Sequence, residues 1–196
     1  ANYVEKDQVK LAETRSELFA ELIEDWKKQG GVVKPQENII CAALNREIDE
    51  LNDLSQALRL GAGAIDPSHR ISIHRKGGRF ESATTETICV GDRVTVTKKS
   101  RKYGVENGDT GTLVGISPTP LSKTISVLFD GETRPRILPL RKVPVRRGYA
   151  FTTHKLQGAT ADNVYVAMTG PMLNLQMAYV QMSRHRHQLN LYVPES

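Results

Sequence analysis

The sequence predicts an α/β domain that is interrupted by a β-rich insertion. In residues 8–63 and 148–196, apolar residues at helical spacing alternate with unbroken apolar runs. Such runs are typical of strands buried on both faces of a parallel sheet. Residues 64–147 instead show short alternating runs separated by turn residues, which indicate antiparallel strands. A chain of 196 residues is long enough for one domain with a smaller domain inserted into it.

The first predicted element is an amphipathic helix over residues 8–29. Apolar side chains recur at helical spacing from Val9 to Trp26, with acidic residues on the other face. Gly30-Gly31 is expected to end this helix. We interpret Trp26 as a core residue of this helix and not as a platform for stacking nucleic-acid bases.

A buried strand and a second helix are predicted next. Residues 38–44 form an apolar run without alternation, as in a strand of a parallel sheet. Asn45 is expected to cap the helix that follows, and Gly61-Ala62-Gly63 is expected to end it. The buried stripe of this helix is predicted to consist of Ile48, Leu51, Leu54, Ala57 and Leu58.

The insertion is predicted to contain five short strands. They correspond to the alternating runs 71–73, 93–97, 112–116, 124–129 and 136–140, which are separated by turn sequences such as Asn107-Gly108 and Asp130-Gly131. This spacing indicates a small β-barrel. The recurring pattern of strand, long loop and turn glycine is similar to an SH3-like barrel, over about residues 88–145.

The α/β pattern returns after the insertion. Residues 149–151 predict the end of a strand, residues 163–168 a buried strand, residues 173–182 a helix and residues 189–193 a final strand. We therefore expect residues 1–63 and 148–196 to build one α/β domain around the insertion 64–147.

Charge is distributed unevenly along the chain. The formal net charge is +5, but residues 1–60 carry 8 basic and 12 acidic side chains, whereas residues 92–147 carry 12 basic and 5 acidic ones. A basic excess confined to one segment indicates a surface for nucleic acid or another polyanion. A solvated basic face without a partner explains the charge equally well.

Other features of the composition indicate a cytoplasmic protein. No apolar run approaches the about 18 residues that cross a bilayer. Cys41 and Cys89 both stand in strand-like apolar runs, so we expect reduced core thiols and not a disulfide. His69 and His74 lack partners at metal-ligand spacing, so we expect surface histidines and no metal site.

Two polar runs near the C-terminus carry the candidate chemistry. In residues 148–160 a short apolar run leads into a loop of hydroxyl and donor side chains that precedes Gly158, and ligands of parallel sheets collect where strands end. In residues 178–187 a Ser-Arg pair follows an apolar stretch. A guanidinium there could stabilise the charge on a transferring γ-phosphoryl group. Taken alone, Arg184 is more simply explained as a helix-end arginine that interacts with the helix dipole.

Together the two runs resemble motifs V and VI of superfamily 1 helicases. The first has the form Tyr-Ala-x-Thr-x-His-Lys-x-Gln-Gly-x-Thr and the second the form Tyr-Val-x-x-Ser-Arg-x-Arg. The intervening β-rich segment is similar to the SH3-like 2B insertion of RecD-type, superfamily 1B enzymes. Ser-Arg-His-Arg and Gly-Asp-Arg-Val are most similar to the helicase part of conjugative relaxase–helicases. The resemblance implies the second RecA-like domain, called 2A, interrupted by a 2B insertion.

The resemblance implies a role for each matched residue. Arg184 would be the catalytic arginine finger that reaches the γ-phosphate of ATP. The nucleotide-binding candidates are Gln157, Gly158, Arg184 and, by a looser match to motif IV, Arg46. The candidates for binding single-stranded DNA are Thr152, Thr153, His154 and Lys155. Charge and an aromatic residue, and not the resemblance, add Lys98, Lys99, Arg101 and Tyr103 in the insertion.

No phosphate-binding loop of the form Gly-x-x-x-x-Gly-Lys-[Ser/Thr] is present, and no Asp-Glu pair follows a strand. In the resembled family these motifs lie in the first RecA-like domain. We therefore expect a fragment of a 5′→3′ DNA helicase that starts at Ala1 by a cut from a longer protein. ATP with Mg²⁺ would bind only in the full-length parent, whose first RecA-like domain is the expected partner, and this chain alone would not hydrolyse ATP.

Two other functions are compatible with the sequence. The insertion of conjugative relaxases can act as a recognition signal, so the chain could be an interaction module for a type IV secretion coupling protein. A stand-alone RNA-binding barrel fits the charge but leaves residues 148–186 unexplained. The helicase interpretation accounts for more of the sequence than either alternative.

Overall fold

The structure is a computed structural model that describes residues 9–75, 84–117, 123–152, 161–169 and 185–195. The chain forms two compact units, one of Ala1–Arg59 with Tyr149–Ser196 and the other of Leu60–Gly148. In chain order, the helices and strands of the described residues are β1 (Val9–Ala12), α1 (Arg15–Lys28), β2 (Asn38–Ala42), α2 (Asn45–Gly61), β3 (Asp66–Arg75), β4 (Thr84–Val90), β5 (Arg93–Val96), β6 (Thr110–Ile116), β7 (Thr124–Phe129), β8 (Arg136–Pro139), β9 (Val145–Arg147), β10 (Ala150–Thr152), β11 (Ala161–Ala167) and β12 (His185–Pro194).

The first unit contains a five-stranded sheet in the order β1-β12-β11-β2-β10. Every neighbouring pair in this sheet is parallel, as the unbroken apolar runs predicted. Successive residues of a strand face opposite sides of the sheet. In β2, Ile40 packs into the same core cluster as the two helices, whereas Cys41 belongs to a second cluster with Phe151 and Val166.

The predicted helix over residues 8–29 is wrong in its first turns. Val9 and Leu11 lie in β1, where they pair with Leu191 and Val193 of β12. The helix begins at Arg15 because a capping box surrounds its first turn, in which the Thr14 hydroxyl accepts the Glu17 N–H and the Glu17 carboxylate accepts the Thr14 N–H. Tertiary pairing with β12 therefore outweighs the helical spacing of residues 8–14.

Trp26 is a core residue, as predicted. Its side chain is fully buried, its indole N–H donates to the Asn38 carbonyl at 3.0 Å, and its ring meets that of Tyr149 edge to face at 6.2 Å. The helix ends at the predicted glycines. Gly30 adopts a φ of 92°, and a Cβ on Gly31 would lie 2.2 Å from the Trp26 ring.

Helix α2 buries only part of the predicted stripe. Ile48 and Leu51 are buried and Leu58 is half-buried against the same core, as expected, but Leu54 and Ala57 are exposed. The buried positions are mostly polar, and they are Glu47, Ile48, Leu51, Asn52, Ser55, Gln56 and Arg59. The expected cap is also wrong, because Asn45 is already the first helical residue and the Glu47 carboxylate accepts the N–H of Leu44.

Both cysteines are buried free thiols, as predicted. Burial raises the pKa of the Cys41 thiol far above its usual range, because the thiolate would lose its hydration. Burial is also the main cause of the raised pKa of Cys89. Both side chains are therefore neutral core residues at physiological pH.

The second unit contains antiparallel strands. A five-stranded sheet has the order β8-β7-β6-β5-β9, and β3 and β4 form a separate two-stranded ribbon. Ile73 and Ile88 of the ribbon share one core cluster with Val94, Leu113 and Val127 of the sheet. The SH3-like character of this unit remains a prediction.

All five strands predicted in the insertion are present, and two further strands were missed. Strand β4 begins with four polar residues, and β9 contains Arg146 and Arg147, so neither shows clear apolar alternation. Glu86 of β4 compensates for this polarity, because its buried carboxylate accepts hydrogen bonds from the backbone N–H and the side chain of Arg147. Among the described residues, no helix is long and apolar enough to cross a membrane.

Candidate nucleic-acid and nucleotide interface

The candidate site in the first unit lies at the carboxyl-terminal edge of the parallel sheet. Thr152 ends β10 and is the register partner of Ala42 at the end of β2. Ala42 in turn pairs with Ala167 at the end of β11. Three neighbouring strands therefore end side by side, and ligands of open α/β sheets bind at this edge. Thr152 is half-buried there.

Asn52 fixes the strand that leads to Thr152. Its side-chain oxygen accepts the N–H groups of Tyr149 at 2.9 Å and Ala150 at 3.1 Å, while its amide group donates to the Ile48 carbonyl at 2.8 Å. These N–H groups belong to the start of the edge strand β10. Asn52 is buried, so its amide gives buried backbone groups the partners they require. The amide thus joins α2 to the strand that runs into residues 153–160.

The hydroxyl of Tyr149 is also held by α2. It accepts a hydrogen bond from the guanidinium of Arg59 at 2.9 Å, and the same guanidinium lies 5.6 Å from the centre of the Tyr149 ring. Arg59 also donates to the Val32 carbonyl at 2.9 Å. Because Arg59 is buried, these contacts fix both the tyrosine and the loop that precedes β2.

A buried carboxylate organises the same edge of the sheet. Glu47 is 1% exposed, and its oxygens accept the Thr169 hydroxyl at 2.5 Å and the Leu44 N–H at 3.2 Å. The Arg15 guanidinium lies 4.0 Å away and supplies the opposite charge. Glu47 therefore connects the start of α1, the start of α2 and the chain just after β11.

Sequence reasoning missed both Glu47 and Asn52. We assigned α2 an apolar buried stripe and gave its polar side chains no role. A usable signal was present, because Glu47 and Asn52 lie on the helical face of Ile48 and Leu51 and not opposite to it. Polar residues inside an apolar stripe indicate buried hydrogen bonds.

Most of the candidate residues in the two polar runs lie outside the described residues. These candidates are Thr153, His154, Lys155, Gln157, Gly158 and Arg184. Arg46 is described, and it is exposed in the first turn of α2, directly after the end of β2. The structure thus places Arg46 and Thr152 at one edge of the sheet, and the roles of all these residues remain predictions.

The described residues next to the two runs are neighbours. Ala161 directly follows the first run, His185 directly follows Arg184, and the two are register partners at the start of β11 and β12. The backbone therefore leaves both runs at adjacent positions of one sheet, at its amino-terminal edge and not at the carboxyl-terminal edge where Thr152 lies. A single ligand site formed by both runs requires such proximity.

The basic loop of the second unit is an ordered turn between β5 and β6. Lys98 and Arg101 are exposed, and Lys99 forms an ion pair with Glu106 at 2.6 Å. A short 3-10 turn over Arg101–Tyr103 ends at Gly104, which has a φ of 64°. The loop therefore presents its cations to solvent from a defined backbone.

Tyr103 is less available than the cations around it. Its side chain is half-buried and packs against the core of the unit. The Lys102 ammonium lies 5.8 Å from the centre of its ring, and the Arg136 guanidinium donates to the Gly104 carbonyl at 2.6 Å. The lysines and arginine remain candidates for phosphate contacts, while the Tyr103 ring serves at least partly as packing.

His69 and His74 are exposed, as predicted. The hydrogen bond from the Ser68 hydroxyl and the contact with His69 at 2.6 Å lower the pKa of Asp66 to about 2. His74 contacts the Thr85 hydroxyl at 2.9 Å. Within the described ranges, no group of three His, Cys, Asp or Glu side chains could hold a metal ion.

The sequence is similar to conjugal transfer proteins. Conjugal transfer protein TraA of Agrobacterium fabrum (strain C58 / ATCC 33970) is 29% identical over 180 residues, and the probable conjugal transfer protein TraA of Sinorhizobium fredii (strain NBRC 101917 / NGR234) is 30% identical over 184 residues. The chain resembles one segment of the TraA proteins. Each match covers 91% of this chain, but the chain spans only 15% of the length of each relative. No family model matches the sequence.

The fold is similar to that of Pif1 helicases. A structure of two coordinating Pif1 helicases at forked dsDNA matches with a TM-score of 0.58 at 15% identity, over 94% of this chain and 48% of that one. Candida albicans Pif1 matches with 0.55 at 15% identity, over 92% and 52%, and Bacteroides Pif1 bound to ssDNA with 0.54 at 16% identity, over 93% and 50%. The predicted resemblance is confirmed, since the sequence is similar to conjugal transfer proteins and the fold to that of Pif1 helicases.

Proposed function

We propose that this chain is the second RecA-like domain, with its 2B insertion, of an ATP-dependent 5′→3′ DNA helicase that serves conjugative transfer. The domain binds single-stranded DNA and supplies an arginine finger to ATP that a first RecA-like domain holds. The similarity to TraA over 91% of the chain supports the biological setting, and the Pif1-like fold supports the motor. One solved relative, Bacteroides Pif1, is in complex with ADP-AlF3 and ssDNA.

The observation that carries the proposal is the register pair Ala161 and His185. It brings the ends of the two polar runs to adjacent strands of a sheet of the helicase fold. The proposal assigns a γ-phosphate contact to Arg184, which directly precedes His185, and a nucleotide-coupling contact to Gln157, which lies in the run between β10 and β11. Mg²⁺ would be held by the domain that carries the phosphate-binding loop.

Single-stranded DNA would be bound by each unit through a different chemistry. In the first unit, the Thr152 hydroxyl at the end of β10 is available for a phosphate oxygen. In the second unit, Lys98, Lys99 and Arg101 provide sequence-independent attraction to phosphates. Their exposure on an ordered turn suits them to follow a nucleic-acid backbone.

DNA binding is tested by the anisotropy of a fluorescein-labelled oligothymidine. We expect the triple variant Lys98→Glu, Lys99→Glu, Arg101→Glu to weaken binding at least about tenfold at low salt and to flatten its salt dependence. The control variant Lys27→Glu, Lys28→Glu, Lys34→Glu changes the net charge equally on the other unit. Equal loss in both variants would mean that net charge alone, and not this loop, attracts the DNA.

The arginine-finger role is tested in a helicase that combines this chain with the domain carrying the phosphate-binding loop. Arg184→Ala should lower DNA-stimulated kcat by about 10³-fold or more, with a much smaller effect on nucleotide binding. The matched control is Arg186→Ala, which removes a guanidinium two residues away. ATP hydrolysis that is insensitive to Arg184→Ala, or equally sensitive to both changes, contradicts the assignment.

A further inference from the structure

The second unit contains a cavity of about 610 Å³ that none of the roles above uses. Its lining residues come from β3, from the start of β7 and from the segment between β8 and β9, and they are Ser72, Ile73, His74, Thr97, Lys123, Leu140, Arg141, Pro144 and Val145. This volume is within the range of about 300–1,000 Å³ that is typical of ligand sites. The cavity is therefore large enough for a few amino-acid residues.

One side of this cavity is cationic. Lys123 and Arg141 are both exposed, and neither forms an ion pair with another described residue. The Lys123 ammonium donates to the Ser72 carbonyl at 3.5 Å. The backbone brings them close, because the N–H of Leu140, the residue before Arg141, donates to the Lys123 carbonyl at 2.9 Å. None of the nine lining residues carries a carboxylate. The site therefore favours an anion.

The other side of the cavity is aliphatic. Ile73 and Val145 are buried members of the core of the unit, and Leu140 and Pro144 are half-buried beside them. The Pro144 carbonyl accepts both the backbone N–H and the hydroxyl of Thr97, at 2.9 Å and 3.1 Å. These bonds fix the backbone of Pro144 in the aliphatic wall.

The cationic and aliphatic sides of the cavity together indicate whether a single-stranded nucleic acid or an acidic peptide fits it better. Single-stranded nucleic acids are held by cations together with aromatic side chains on which bases stack. The described lining contains no Phe, Tyr or Trp. An aliphatic wall next to two exposed cations that lack a carboxylate partner among the described residues instead matches an aliphatic side chain next to a carboxylate, which is the pattern of an acidic peptide.

We propose that this cavity binds an acidic peptide segment in which aliphatic and carboxylate side chains alternate. The carboxylates lie against Lys123 and Arg141, and an aliphatic side chain fills the space between Ile73, Leu140 and Val145. The proposal does not rest on the helicase function, because it uses none of the residues assigned to DNA or nucleotide. It would give a protein partner of the insertion a specific point of contact.

The test uses the whole chain and a fluorescein-labelled peptide of alternating glutamate and leucine, followed by anisotropy. We expect saturable binding that Lys123→Glu and Arg141→Glu each weaken at least about tenfold, because a like charge then faces the carboxylates. The control is Lys142→Glu, an exposed neighbour of Arg141 that does not line the cavity and should change affinity less than about twofold.

Two control peptides and a competition experiment with oligothymidine complete the test. A glutamine–leucine peptide lacks the charge and a glutamate–serine peptide lacks the aliphatic side chains, so both should bind much more weakly. Absence of saturable binding to the glutamate–leucine peptide, or equal loss with Lys142→Glu, overturns the proposal. Displacement of the peptide by oligothymidine, with oligothymidine binding also lost in Lys123→Glu, would assign the cavity to nucleic acid instead. Loss of DNA binding in the Lys98 triple variant with peptide binding unchanged leaves the two surfaces distinct.

Discussion

Ala161 and His185 are register partners at the start of two adjacent parallel strands, although 23 residues separate them in the chain. The first lies directly after the run that resembles motif V, and the second directly after the arginine of the run that resembles motif VI. Strand pairing therefore draws two distant polar runs to one sheet. The register of β11 and β12 shifts between Ala161 and Asn163, so an irregularity of the pairing lies directly beside this pair.

Asn52 is expected to be the side chain on which strand β10 depends most. Asn52→Ala leaves the buried N–H groups of Tyr149 and Ala150 without their acceptor, so the free energy of unfolding should fall by about 2–4 kcal/mol. Urea unfolding followed by circular dichroism measures this change. Leu54→Gln on the exposed face of the same helix should lower the free energy of unfolding by less than about 0.5 kcal/mol. A similar decrease in both variants would show that the hydrogen bonds of Asn52 do not specifically stabilise β10.

Glu47 and Glu50 provide a matched comparison of a buried and an exposed carboxylate. Both contact Arg15, but the side chain of Glu47 is 1% exposed and that of Glu50 is 47% exposed. Glu47→Gln removes the charge from a buried network and should lower the free energy of unfolding by about 1–3 kcal/mol. Glu50→Gln should change it by less than about 1 kcal/mol. Equal effects in thermal or urea unfolding would show that Glu47 contributes only as a surface ion pair.

Alanine substitutions of Gly31 and Gly61 compare a crowded position at the end of α1 with an open position at the end of α2. Gly31→Ala places a Cβ within the Trp26 ring, so Trp26 must move and the free energy of unfolding should fall by about 1–3 kcal/mol. Gly61→Ala meets open space at the end of α2 and should stabilise the protein by up to about 1 kcal/mol. Trp26 fluorescence reports the displacement directly. An unchanged emission spectrum in the Gly31→Ala variant would contradict the contact.

Alkaline pH should destabilise the first unit through two buried tyrosines. Burial raises the pKa values of Tyr165 and Tyr192 above their usual value of 10.0, and the hydrogen bond from Tyr192 to Asp25 adds to the effect. A group whose pKa is raised by folding contributes stability that is complete below its unfolded pKa and is lost as pH rises above it. The free energy of unfolding should therefore decrease as pH increases above about 10.

The pH effect is assigned by Tyr192→Phe. This variant loses the hydrogen bond to Asp25, which costs about 1 kcal/mol at neutral pH, but it also removes one ionisable group. Its stability should therefore decline less steeply than that of the unsubstituted protein above pH 10. Parallel curves for the two proteins between neutral and alkaline pH would exclude Tyr192 as a source of the alkaline loss.

The sequence alone distinguished the segments that form the parallel α/β unit from the segment that forms the antiparallel insertion. Continuous apolar runs such as 38–44 predicted parallel strands, alternation with turn glycines predicted the antiparallel insertion, and the two polar runs identified the helicase resemblance. These signals are local, because burial of a strand on one face or on both faces determines which of its successive residues are apolar. The same local rules placed the buried Trp26 and the two free cysteines correctly.

Only the tertiary structure decided which competing local patterns prevail. Residues 9–12 have helical spacing but form β1, because β12 offers a partner 182 positions away in the chain. Helix α2 turns polar side chains inward because their partners come from distant segments, as Glu47 meets Thr169 across 122 positions and Asn52 meets Ala150 across 98. The local pattern can indicate that Glu47 and Asn52 are buried, but it cannot identify hydrogen-bond partners so far away in the chain. Those partners are determined only when the chain is folded.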